Sequence, residues 1–206
     1  MTQWNKIYKQ YNNGGEAYAT LSEDILQEFI NLVKKDKFKI KCALDIGCGT
    51  GKYLHYLKCN EFATDGIDSS PIAVKMTKKL LKKSSLIKIE NMYLFDIPKN
   101  KYDLIISVKT IQHGYKPEIK KLINKIYSSL IVGGKVFITL PDYNKKGIWW
   151  QDAKEVKKGT YIPQTGYEKD LPHSFYEKKE VKVLFHKFKT LKIITKDRKH
   201  IVIGVK

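Results

Sequence analysis

A chain of 206 residues has the length of one ordinary domain, and an apolar fraction of 42% with 13 glycines describes a globular protein, neither low-complexity nor disordered. No run of 18 apolar residues offers a membrane span, and Met1 to Gln10 lacks the apolar core of a signal peptide, so the cytoplasm is the expected compartment. The net charge of +18 excludes less than it suggests, because 38 of the 39 basic residues are lysine, Arg198 is the single arginine, and the excess is spread along most of the chain.

In chain order, Trp4, Tyr8 and Tyr11 stand at helical spacing. Thr20 and Glu23 read as a capping box for a helix with Ile25, Leu26, Phe29, Ile30 and Val33 on one face. Cys42 to Ile46 is a short apolar run that enters a glycine loop, as a buried strand does. Phe62–Asp68 predicts a second strand, Ser70-Pro71 an N-cap and first turn for a helix through Lys83, Leu86–Asn91 a third strand and Tyr102–Ser107 a fourth. Pro117 opens a helix carrying Ile119, Leu122, Ile123, Ile126 and Leu130, which Gly133-Gly134 ends before the strand Val136–Leu140. Ser174 and Glu177 predict a cap for a last helix, and Leu191–Thr195 and Ile201–Val205 are the closing strands.

This alternation gives an α/β fold, a seven-stranded, mostly parallel, doubly wound sheet with helices on both faces. We divide the single domain into an N-terminal helical cap (1–39), a ligand-binding core (40–141), an insertion (142–172) and a C-terminal helix with a strand pair (173–206). The insertion breaks the alternation and is rich in aromatic residues, so a substrate-covering lid is expected there. Cys42, Cys48 and Cys59 form no C-x-x-C pair and have no histidines at zinc-ligand intervals, so no metal is expected.

The chemistry-bearing pattern is Asp45-Ile46-Gly47-Cys48-Gly49-Thr50-Gly51. Glycines at alternate positions permit a tight turn and close approach of a ligand, and the helix that follows directs free N–H groups at the loop. Dinucleotide enzymes use G-x-G-x-x-G, whereas here the spacing is G-x-G-x-G and the leading Asp45 suits an ammonium group better than a pyrophosphate. Asp68, closing the second strand, can accept from ribose hydroxyls. Asp96, after the third strand, can accept from an adenine amino group, with neighbouring apolar side chains against the ring.

Taken together, ALDIGCGTG (43–51), DGIDSS (65–70), FDIP (95–98), YDLIISVKTIQH (102–113) and LIVGGKVFITLP (130–141) resemble the class I, Rossmann-like S-adenosylmethionine-dependent methyltransferases. The resemblance implies a last antiparallel strand and S-adenosyl-L-methionine as cofactor, with S-adenosyl-L-homocysteine as product. It implies that Asp45, Gly47, Cys48, Gly49 and Gly51 hold the methionine end, Asp68 and Ser69 the ribose, and Asp96 and Ile97 the adenine. Ser107 belongs to the same cofactor set, and Tyr8 and Tyr11 would close over it. By family position His113 is the candidate general base. Gln112, Trp149, Trp150, Tyr161 and His173 are candidate substrate residues. The expected acceptor is an oxygen or nitrogen of a small molecule. Two other readings stay open. One is an RNA-modifying methyltransferase in which lysines meet phosphate and aromatics stack on bases, as a distant likeness of Ser174-Phe175-Tyr176 to tRNA wobble-uridine methyltransferases suggests. The other is a non-catalytic cofactor-binding subunit.

Overall fold

The computed structural model describes residues 3–12, 23–82, 85–145 and 152–206. Thr20, Trp149 and Trp150 lie outside the described residues, as does the Tyr11 side chain. Two helices, α1 (Gln3–Asn12) and α2 (Glu23–Lys35), precede the alternating core. The core runs β1 (Cys42–Ile46), α3 (Lys52–Cys59), β2 (Ala63–Asp68), α4 (Pro71–Leu81), β3 (Leu86–Ile89), β4 (Tyr102–Ser107), α5 (Lys116–Ser129) and β5 (Leu130–Pro141). After it come a small sheet of β6 (Ala153–Lys157), β7 (Thr160–Pro163) and β8 (His173–Ser174), then α6 (Lys178–Leu184), β9 (Thr190–Lys196) and β10 (Lys199–Val205).

The main sheet has seven strands in the order β3-β2-β1-β4-β5-β10-β9. The first five are mutually parallel, and β10 inserts antiparallel between β5 and β9. Asp197-Arg198, both at positive φ (44° and 57°), make the tight two-residue turn that reverses the chain between β9 and β10. The expected fold is therefore the observed one.

Strand alternation divides the apolar side chains between two layers. Leu44, Ile46, Ile105, Val136 and Ile138 face α5 and α6, whose Ile119, Leu122, Ile126, Val181 and Phe185 are buried against them. Ala43, Leu104, Ile106 and Phe137 face the other way, onto Phe29 of α2, Leu54 and Leu57 of α3, and Val74 of α4. A buried carboxylate fixes the entry to β1. Asp103, 2% exposed, accepts from the backbone N–H groups of Lys39 (2.9 Å), Ile40 (2.8 Å) and Cys42 (3.3 Å).

Three local expectations change. Helix α5 ends at Ser129, and Gly133-Gly134 lie inside β5, beside a break in its register with β4. The last helix is capped by Glu177, paired reciprocally with Glu180, while Ser174 is in β8 and donates its hydroxyl hydrogen bond to the Gly114 carbonyl (2.7 Å). Part of the insertion is ordered β-structure, β6 and β7 pairing antiparallel, with β7 also paired to β8. The Ser70-Pro71 start is as expected, with Ser70 Oγ accepting from Ala73 N at 3.3 Å.

Candidate functional site

Strands β1, β2 and β4 end at one cleft, of about 340 Å³, together with the turn after β3. Open α/β sheets bind ligands at this place, outside the carboxyl ends of strands where the chain order reverses. The glycine loop forms its floor. Gly47 N and Cys48 N both donate to the Ile67 carbonyl (2.8 and 3.0 Å), tying the loop to β2. Gly47, Gly49 and Gly51 have φ of 76°, 54° and 82°, a region that L side chains rarely enter.

The space above those glycines is already used by the protein. A Cβ on Gly47 would lie 2.1 Å from Thr110 Cγ2, and one on Gly49 would lie 2.6 Å from the Tyr8 hydroxyl. The glycines thus bring β4 and α1 onto the loop as well as opening it to a ligand. Gly51 is the N-cap of α3 and offers no side-chain cap, so the positive end of that helix opens on the glycine loop.

Two carboxylates stand over this floor. Asp45, 3% exposed, has no hydrogen-bond partner among the described residues. Burial, then the negative charge of Asp68, push its pKa well above the ordinary carboxylate value. Asp68 is pushed up by burial too, but its oxygens accept from Gly49 N (3.0 Å) and Ser70 N (2.8 Å), which favour the ionised form. Each oxygen accepts one of these bonds and can accept another. An uncompensated buried acid beside a second acid is a site for a cation or for hydroxyl donors, not for a phosphate.

Residues 43–134 match the family model described as a methyltransferase domain. That stretch of the chain is similar to the methyltransferase domain, and the fold is shared with solved methyltransferase structures. The chain is 31% identical over 127 residues to an uncharacterized protein of Methanocaldococcus jannaschii, covering 59% of this chain and 33% of that protein. It is 32% identical over 130 residues to phosphoethanolamine N-methyltransferase 2 of Caenorhabditis elegans, covering 60% of this chain and 28% of that one. The matched stretch thus spans about a third of the length of these curated relatives. A crystal structure of a Pyrococcus horikoshii protein superposes with a TM-score of 0.72 at 14% identity, covering 100% of both chains, a likeness of fold.

Of the expected cofactor residues, Asp45, Gly47, Cys48, Gly49, Asp68, Ser69 and Tyr8 line the cleft. Three do not. Asp96 is exposed and off the cleft, Ile97 is packed into the core with its neighbour Tyr102, and Ser107 is fully buried, donating to the Ile46 carbonyl at 3.0 Å. The position after β3 is taken instead by Glu90, Asn91, Met92 and Tyr93. Asn91 starts a turn there, its Oδ1 accepting from Tyr93 N (2.9 Å) and its carbonyl from Leu94 N (3.0 Å). Lys109 and Thr110 line the cleft as well, neither of them singled out in the sequence, and so does Trp4 of the amino-terminal aromatic stripe.

His113 reaches the cleft, edge-on to Trp4 with ring centroids 4.6 Å apart. Its Nε2 is 3.2 Å from the Lys109 carbonyl, and burial followed by the charge of His173 lowers its pKa to about 3. An imidazole so perturbed is neutral near pH 7 and a poor base, so the expected proton-abstracting role finds no support in its surroundings. Gln112 is buried outside the cleft, its carbonyl accepting from Ser174 N at 3.0 Å. Tyr161 is packed in the small sheet, edge-on to Phe175 with centroids 5.6 Å apart, and not over the cleft. His173, 1% exposed, lies behind His113 with ring centroids 4.3 Å apart.

Proposed function

We propose that this protein is a cytoplasmic S-adenosylmethionine-dependent methyltransferase acting on a small molecule. The observation that carries the reading is the buried Asp45 carboxylate, with no ion pair among the described residues, lining the cleft beside the glycine loop. An α-ammonium group is the complement this acid calls for, and dinucleotide pyrophosphate would be repelled by it. When bound, S-adenosylmethionine supplies a methyl group on a positively charged sulfur.

The chain's own residues divide the remaining work. Asp45 would accept hydrogen bonds from the ammonium, and the positive end of α3 suits the neighbouring carboxylate. The unused lone pairs of Asp68 suit the ribose hydroxyls, and Asn91 and Met92 are positioned to border the adenine. Trp4 and Tyr8 of α1 and Leu171 from the segment before β8 wall the cleft, which excludes water and orients an acceptor. A cleft roofed in this way favours a compact acceptor, a reading in keeping with the name of the C. elegans relative.

Calorimetric titration with S-adenosylmethionine, S-adenosylhomocysteine and NAD tests this. Micromolar binding of the first two with none of NAD is expected. Binding of NAD in preference, or of neither sulfur nucleoside, would overturn the proposal.

A further inference from the structure

Behind the cleft wall, His113, Glu168 and His173 each offer one ligand atom, all within 4.8 Å of one another. Glu168 and His173 come from the segment around β8, and β8 is held beside the His113 turn by Ser174 N donating to the Gln112 carbonyl (3.0 Å).

The hydrogen bonds of the two rings fix where their protons are. A backbone carbonyl only accepts, so the ring nitrogen facing it carries the hydrogen. His113 Nε2 faces the Lys109 carbonyl at 3.2 Å, and His173 Nδ1 faces the Leu171 carbonyl at 2.9 Å. The remaining nitrogens, His113 Nδ1 and His173 Nε2, therefore carry lone pairs when the rings are neutral. His113 Nδ1 is fully buried and has no hydrogen-bond partner among the described residues, in a side chain 9% exposed. His173 Nε2 points at Glu168 Oε2, 3.0 Å away, lone pair towards carboxylate. A single proton would reconcile His173 with Glu168 but leave His113 Nδ1 unsatisfied. A cation shared by all three satisfies every group. Ring nitrogens held by backbone carbonyls on their far side are also the usual support of metal-ligating histidines.

We propose that His113, His173 and Glu168 bind a divalent first-row transition-metal ion at the acceptor side of the cleft. Two imidazoles and one carboxylate suit zinc, iron, cobalt or nickel, and not magnesium or calcium, which take oxygen ligands. Zinc–ligand bonds of about 2.0–2.2 Å set ligand atoms roughly 3.3 Å apart in a tetrahedral shell, so the three side chains must draw together on binding. Lys199 works against it as a neighbouring cation, though burial and Lys109 also disfavour its own charge. Since His113 alone of the three lines the cleft, the open side of the shell faces the acceptor. Only this last role rests on the methyltransferase reading.

The test uses the full chain with Cys59→Ser, which removes the exposed Cys59–His55 contact (3.8 Å) as a competing metal site. Metal is stripped with a chelator, and Co²⁺ and Zn²⁺ are titrated in without nucleoside, followed by visible absorption and calorimetry. One equivalent should bind, with cobalt ligand-field bands. Glu168→Gln and His173→Gln should each weaken it by more than the tenfold to hundredfold that loss of a supporting outer-shell partner costs. S-adenosylhomocysteine affinity and the unfolding midpoint report whether the variants fold. If His173→Gln does not, Glu168→Gln, with a side chain 22% exposed, carries the test. Absence of saturable binding, or binding that Glu168→Gln leaves unchanged, would overturn the proposal, whatever the nucleoside titration shows.

Discussion

Substituting Gly49 by alanine separates two costs that the structure assigns to that position. The first is conformational: at φ of 54° an alanine pays roughly 1–2 kcal/mol for the left-handed backbone, offset by up to about 1 kcal/mol from the stiffer unfolded chain. The second is steric. The new Cβ would lie 2.6 Å from the Tyr8 hydroxyl, whereas the next two atoms, at 3.6 and 4.0 Å, are in ordinary contact. Overpacking of this kind costs about 1–3 kcal/mol, with a ceiling set by how firmly α1 is docked. Removing the hydroxyl by Tyr8→Phe removes the collision but not the backbone cost. Gly49→Ala should therefore destabilise the Tyr8→Phe protein by about 1 kcal/mol and the parent by about 2–4 kcal/mol, a coupling of at least roughly 1 kcal/mol. In thermal unfolding of a domain this size, each kcal/mol moves the midpoint by about 2–4 °C. Any other interaction of the Tyr8 hydroxyl is lost in both Tyr8→Phe backgrounds and cancels in the cycle. Equal costs in the two backgrounds would show that α1 does not rest on the glycine loop, and Tyr8 would lose its place beside the cofactor.

Asp45→Asn should lower S-adenosylhomocysteine affinity by roughly 1.5–3 kcal/mol, about tenfold to a hundredfold, while leaving the unliganded protein as stable or more so, because a neutral amide replaces an acid whose charged form burial disfavours; calorimetry and denaturant unfolding measure the two effects. Asp45 also sets a pH dependence. Its folded pKa is raised above the unfolded value near 3.8, so the unliganded fold binds the extra proton, and its stability contribution is favourable at low pH and lost as pH rises through the folded pKa. An ammonium ligand reverses the preference, so nucleoside binding should tighten with rising pH and release a proton, visible as a calorimetric enthalpy that varies with buffer ionisation heat. Asp103→Ala should cost about 2–4 kcal/mol in denaturant unfolding with little change in nucleoside affinity, since three backbone N–H groups at the entry to β1 lose their acceptor far from the cleft.

The sheet was legible because each central strand is a short apolar run whose side chains are needed on both faces, and the glycine loop because its three positive φ values tolerate little else. The end of β3 misled because FDIP and NMY are both plausible turns. Asn91 forms its turn immediately, leaving Ile97 to fill the core and Asp96 to solvent. The β6–β7 hairpin escaped notice because its first strand is mostly exposed and charged, without the apolar alternation that marks a half-buried strand. His113, Glu168 and His173 could not be read from spacing at all. They come together only because β8 docks against the turn after β4.

The placement of charge bears on which acceptors the cleft can take. Against a net charge of +18, the cleft gathers Asp45, Asp68 and Glu90 along the ends of the first three strands. Lys109 and His113 line it after β4, and Lys52 lines it at the start of α3. A polyanion held across the mouth would meet those acids at short range, where Coulomb repulsion outweighs the screened attraction of scattered surface lysines. The acidic wall is complementary to a cationic nucleoside, which leaves the β4 wall for the acceptor. There a lysine and a metal ion held by His113, His173 and Glu168 would both favour an acceptor with an anionic or readily ionised oxygen. Turnover of such acceptors should depend on the added metal, while nucleoside affinity should not, so a chelator that abolished nucleoside binding would break this division of the cleft.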